Sequence, residues 1–178
     1  MRLVHDPNEI LWYAMSSPFR REMKAKALLD AHHIENFIPM KKRKEIREGE
    51  IVMWEEPAVH NFVFVHDSYN GIMKVKKGLD TLQFILNPLS PIVVPRRQMD
   101  DFIRFYESGG YDEPEFLSPQ MMGQLRKNAR VVIVDGPLAG IEGYYQRVKG
   151  AKDKRFIVLI EGLVAMACCV ECKFVKIK

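Results

Sequence analysis

Cysteine is nearly absent from this chain. Its three cysteines, Cys168, Cys169 and Cys172, fall within five residues of one another near the C-terminal end. An odd, clustered set does not make a disulfide framework. No histidine stands nearby to complete a zinc site, so the cluster reads as small packing residues on a strand in a reducing, cytoplasmic setting. Long apolar runs are also lacking. No stretch approaches the roughly 20 residues a membrane helix requires, and the first ten residues, with His5, Asp6 and Glu9, lack the apolar core of a signal peptide. A strong excess of one charge sign is lacking too, 27 Lys/Arg standing against 23 Asp/Glu for a net value of +4. The histidines His32, His33, His60 and His66 form no nucleophile–base spacing and no metal motif, which argues against an enzyme, a cofactor or a metal centre.

Charge is unevenly placed. Residues 120–178 carry eleven Lys/Arg against five Asp/Glu, whereas residues 1–108 hold sixteen against fifteen. Between them lies a short acidic, proline-bearing stretch with Asp112, Glu113 and Glu115. This pattern predicts a leading domain over 1–108, a linker over 109–119 and a basic tail module over 120–178. A basic tail suits nucleic acid or an acidic partner, and equally a solvated barrel with lysine-rich loops.

In the leading domain, Ile10 to Ser16 reads as a strand. Ser17-Pro18 offers a helix cap and first-turn proline, predicting a helix to about His33. Arg20, Arg21 and Lys24 gather at its start, where the helix dipole disfavours cations. They are either a solvated face or cations held ready for phosphate. A strand at Asn36–Met40 is followed by Lys41-Lys42-Arg43-Lys44, expected as a loop, and Gly49 as a hairpin tip before Ile51–Trp54. Val59 to His66 alternates so that Phe62, Phe64 and His66 share one face and Val63 and Val65 the other. The phenylalanine face is either a second core layer or an apolar patch awaiting a partner. A helix capped by Asp67 or Ser68, a strand at Leu82–Leu86 and a helix opened by Pro95, with Met99, Phe102, Ile103 and Tyr106 on one stripe, complete the domain. The order predicts an α+β, split-βαβ domain with an antiparallel sheet.

In the tail, Val131–Val134 runs into Asp135-Gly136-Pro137, with Gly140 and Gly143 close behind. A tight loop between two strands follows, the glycines standing where φ is positive or backbones approach closely. A basic hairpin around Gly150, a strand pair around Glu161-Gly162 and a closing strand at Phe174–Ile177 make five strands, expected to form an SH3-like β-barrel.

Four stretches, in this order, resemble the NusG family of transcription elongation factors: Trp12-Tyr13, the Val59–Val65 strand, Ser90–Pro95, and the Asp135–Gly143 loop, which resembles the family's KOW motif. The resemblance implies an N-terminal NGN domain and a C-terminal KOW domain, and it covers nearly the whole chain. His60-Asn61 stands where the housekeeping factor usually has Pro-Gly, and Asn128 where the KOW usually begins with glycine. The segment Ile34–Met40 and the compact central loop are most similar to the specialised RfaH- and UpxY-type antiterminators of surface-polysaccharide operons. By resemblance, Phe62 and Phe64, with Ala14 and Ser16, would meet the clamp helices of the RNA polymerase β′ subunit, and Ile72, Met73 and Lys74 the β-subunit lobe, although the paralogues' threonine-rich signature is missing there. Arg20, Arg21 and Lys24 would meet non-template DNA. The KOW loop (Asp135, Gly136, Pro137, Gly140, Gly143) would dock a small-subunit ribosomal protein or Rho. A housekeeping elongation role and a ribosome- or RNA-binding KOW protein are the competing readings.

Overall fold

A computed structural model describes residues 3–79, 81–108, 115–117, 130–147, 152, 154–160, 163–168 and 174–177. Gly109-Gly110, most of the expected linker, Asn128, Gly150, Glu161-Gly162, Cys169 and Cys172 lie outside them. The chain divides into two compact units, Met1–Arg96 and Arg97–Lys178.

The first unit begins with β1 (Ile10–Ser16), α1 (Glu22–Ala31) and β2 (Glu35–Phe37). A long hairpin of β3 (Met40–Arg47) and β4 (Glu50–Pro57) follows, then β5 (Phe62–Ser68) and α2 (Tyr69–Lys76). Four two-residue strands end it: β6 (Gln83–Phe84), β7 (Leu86–Asn87), β8 (Ser90–Pro91) and β9 (Val93–Val94). The main sheet runs β2-β5-β1-β6, with β9 also on β1, and every pairing is antiparallel. This is the α+β, antiparallel arrangement expected of an NGN domain.

Period-two alternation decides the core. Tyr13 and Met15 of β1 and Val63 and Val65 of β5 point to one face, where they pack with Ala25 and Leu29 of α1 and Ile72 and Val75 of α2. Side chains of this size contribute about 1.5–3 kcal/mol each when fully buried. Ser68 caps α2, its Oγ accepting from the Gly71 N–H at 3.0 Å.

Two local expectations fail for identifiable reasons. Helix α1 starts at Glu22, not at Ser17-Pro18, because Phe19 and Arg20 both adopt left-handed backbone (φ 64° and 55°) and no side chain caps the start. Lys41–Lys44 is not a loop but part of β3: Lys41 and Arg43 both reach Glu56 of β4, at 3.4 and 2.6 Å. Cross-strand carboxylates let a cation-rich run pair as a strand.

The second unit comprises α3 (Arg96–Glu107, of which Arg97 onward belongs here), β10 (Glu115–Phe116), β11 (Arg130–Ile133), β12 (Glu142–Arg147), β13 (Lys154–Ile160), β14 (Val164–Cys168) and β15 (Val175–Ile177). The boundary between the two units falls between Arg96 and Arg97, at the first residue of α3. Met99, Phe102 and Phe105 are its buried residues. Arg97 pairs with Glu142 at 3.2 Å, Gln98 donates to the Leu159 carbonyl at 3.0 Å, and Phe105 meets Phe156 with centroids 5.9 Å apart.

The expected SH3-like barrel is not formed. The six strands make an open sheet in the order β10-β14-β13-β12-β11-β15, with no pairing between the two end strands among the described residues. Closure requires the end strands to share a ladder, and among the described residues they span only two and three residues. The pattern of short strands predicts the strands but carries no information on closure.

Candidate functional site

Three sets of candidate residues occupy distinct places. The first is the face of the main sheet opposite α1 and α2. Trp12, Ala14 and Ser16 of β1 lie across from His66, Phe64 and Phe62 of β5. The Phe62 and Phe64 rings are 5.5 Å apart, and Trp12 stacks on His66 at 4.7 Å. His66 is tied in turn to Glu35 at 2.6 Å. Phe64 and Ala14 are fully buried, while Phe62 and Ser16 are half-buried at the end of the face. Part of the face is therefore a core layer, and its Phe62 end is open to contact.

The second set is on α2. Ile72 is fully buried in the core, whereas Met73 and Lys74 are exposed. Ile72 fixes the helix, and the other two present a surface.

The third set surrounds the start of α1. Arg20, Arg21 and Lys24 are all exposed, and none forms an ion pair among the described residues. Their neighbour Glu22 is turned inward and is 1% exposed. Its carboxylate accepts the Asn61 backbone N–H at 2.5 Å and lies 3.7 Å from His60 Nδ1. Asn61 has φ 64°, a conformation asparagine tolerates better than most residues, which is how His60-Asn61 serves where a glycine would be expected. The buried Ser17 Oγ has no hydrogen-bond partner among the described residues.

Sequence reasoning missed Phe19, which is 80% exposed beside the cations, and the inward Glu22. Neither carries a signal, since Phe19 is not a residue that favours positive φ and a glutamate in a first helical turn normally faces water.

The glycine-rich loop joins β11 to β12. Asp135 Oδ1 accepts from Gly136 N at 2.8 Å, Gly136 and Gly140 have φ of +83° and +87°, and Gly140 N donates to Ile133 O at 2.8 Å. Leu138 and Ile141 are buried, whereas Pro137 is exposed. Gly143 permits a close backbone approach: a Cβ there would lie 2.3 Å from the Ile157 carbonyl oxygen. Among the described residues no cluster of metal-ligating side chains occurs, and no helix is long and apolar enough to cross a membrane.

Comparison with known proteins agrees with this architecture. Residues 11–126 match the family model described as transcription termination factor nusG. No individually curated protein matches. Among solved structures, one reporting domain interaction in Thermotoga maritima NusG is similar at 16% identity with a TM-score of 0.51, covering 96% of this chain and 98% of that one. The chain belongs to the NusG family, and is thus a non-enzymatic factor of transcription elongation and antitermination.

Proposed function

We propose that this chain is an operon-specific antiterminator that binds RNA polymerase through its leading domain, residues 1–108, and docks a second machine through residues 120–178. The single observation that carries the polymerase contact is the aromatic pair on the sheet face: Phe62 half-open beside a buried Phe64, 5.5 Å apart. An aromatic anchor backed by a rigid core layer is the form a binding hot spot takes. Phe62 and Ser16 meet the β′ clamp helices, with Phe64 and Ala14 as the floor beneath them. Met73 and Lys74, held by the buried Ile72, face the β lobe across the cleft. Bridging both sides keeps the clamp closed and suppresses pausing and termination. Arg20, Arg21 and Lys24 take phosphates of the exposed non-template strand. The Asp135–Gly143 loop presents a rigid docking surface for a small-subunit ribosomal protein or Rho.

The specificity claim is tested by transcription with purified polymerase on two templates, one carrying the leader of the chain's own genomic locus and one an unrelated leader, each ahead of a terminator. Read-through raised on the first alone supports operon-specific duty. Equal read-through on both assigns the chain the general elongation role instead.

A further inference from the structure

Phe19 is the most exposed large apolar side chain among the described residues, at 80%. It lies in a turn that two non-glycine residues in succession, Phe19 and Arg20, hold in left-handed backbone. Such strain persists only where the surroundings over-determine it. Here they do so from both sides of the turn: Ser17 N donates to Asn61 O at 3.2 Å, Glu22 accepts from Asn61 N at 2.5 Å, and Ala25 N donates to Arg21 O at 2.9 Å. The Arg21 guanidinium lies over the Phe19 ring, 5.9 Å from its centroid. One face of the ring is thus backed by a cation, and the high exposure leaves room on the other. Arg20 and Lys24, exposed and without ion pairs among the described residues, flank it.

We propose that Phe19 is a stacking platform for an unpaired DNA base, with Arg20 and Lys24 taking the phosphates on either side and Arg21 holding the ring. This rests on the nucleic-acid reading of the same cations and adds to it how the strand is gripped. A base within a duplex already stacks on both faces, so the ligand is single-stranded. Aromatic stacking tolerates any base, while the cations supply affinity that falls with salt.

The test is fluorescence anisotropy of the full-length chain with a labelled 12-nucleotide single-stranded DNA, the same oligonucleotide with central abasic positions, its duplex, and RNA of the same sequence. Phe19→Ala weakens binding to the single strand about 5- to 100-fold and leaves abasic binding unchanged. Phe19→Trp retains binding, and its fluorescence is quenched when the strand is added. The triple variant Arg20→Ala, Arg21→Ala, Lys24→Ala loses both intact and abasic strands. Circular dichroism of each variant matches the parent, since none of these side chains is in the core. If Phe19→Ala binds as the parent does while the triple variant fails, the platform is overturned and the phosphate reading stands. If neither changes affinity, both fall. Duplex bound as tightly as the single strand overturns the platform, and RNA bound more tightly than DNA overturns the assignment to DNA.

Discussion

The carboxylate of Glu22 accepts the backbone N–H of Asn61, thirty-nine residues further along the chain, at 2.5 Å. This one bond ties the first turn of α1 to the turn that delivers Phe62 onto β5. The contact therefore joins two surfaces of different proposed use, the cationic turn and the aromatic sheet face. Glu22→Ala removes the buried carboxylate that accepts the part-buried Asn61 N–H, and is expected to destabilise the chain by about 1–3 kcal/mol in urea denaturation. Asn61→Ala keeps a β-carbon in left-handed backbone but loses asparagine's local compensation, for a loss of about 1 kcal/mol. Asn61→Gly removes the strain and is expected to be close to neutral.

Two glycines of the KOW loop are expected to respond differently to alanine. At Gly143 the new Cβ would stand 2.3 Å from the Ile157 carbonyl and 3.0 Å from the Phe156 ring, so β12 and β13 must separate. At Gly136 nothing lies within 4 Å of the added Cβ, and the loss is confined to the left-handed φ of +83°, about 1–2 kcal/mol. Thermal unfolding should show Gly143→Ala the more damaging of the two.

A pH dependence of small amplitude follows from Asp30. Hydrogen bonds from Asn36 Nδ2, at 2.7 Å, and from Lys26 hold its carboxyl below the ordinary value of 3.8. A carboxyl lowered in the folded state stabilises above its unfolded pKa, and that contribution is lost as pH falls through the folded value. The group is exposed, so solvent screening limits the contribution to a few tenths of a kcal/mol. Asp30→Asn should remove this portion of the acid sensitivity below about pH 4, read as a flatter stability profile in denaturant titrations against pH.

Much of the leading unit was legible in the alternation of Leu11 to Met15 and Phe62 to His66, because a two-residue period assigns each side chain to a face. The KOW loop was legible because glycine is the residue that satisfies positive φ at Gly136 and a close approach at Gly143. The start of α1 was not. Ser17-Pro18 is a good local cap signal, but the bonds of Ser17 and Glu22 to Asn61 come from a turn distant in sequence and hold Phe19 and Arg20 out of the helix. The β3 strand was hidden for a similar reason: its lysines and arginine require Glu56, thirteen residues beyond Arg43, before they read as paired. The stripe on α3 was misread at two positions: Met99, Phe102 and Phe105 are buried while Ile103 and Tyr106 are only half-buried, so the buried face follows the i, i+3, i+6 row. The open sheet was illegible because closure depends on how two very short end strands meet, not on the pattern within any strand.

If the Phe62 end of the sheet face grips RNA polymerase, as proposed, the affinity of Phe62→Ala for core polymerase is the decisive measurement. Phe62 is only half-buried, so the variant should keep the parent's circular dichroism and unfolding midpoint within a few degrees. Binding should be at least about tenfold weaker, the loss expected when an aromatic anchor is truncated. A folded Phe62→Ala variant that binds polymerase as tightly as the parent would contradict it.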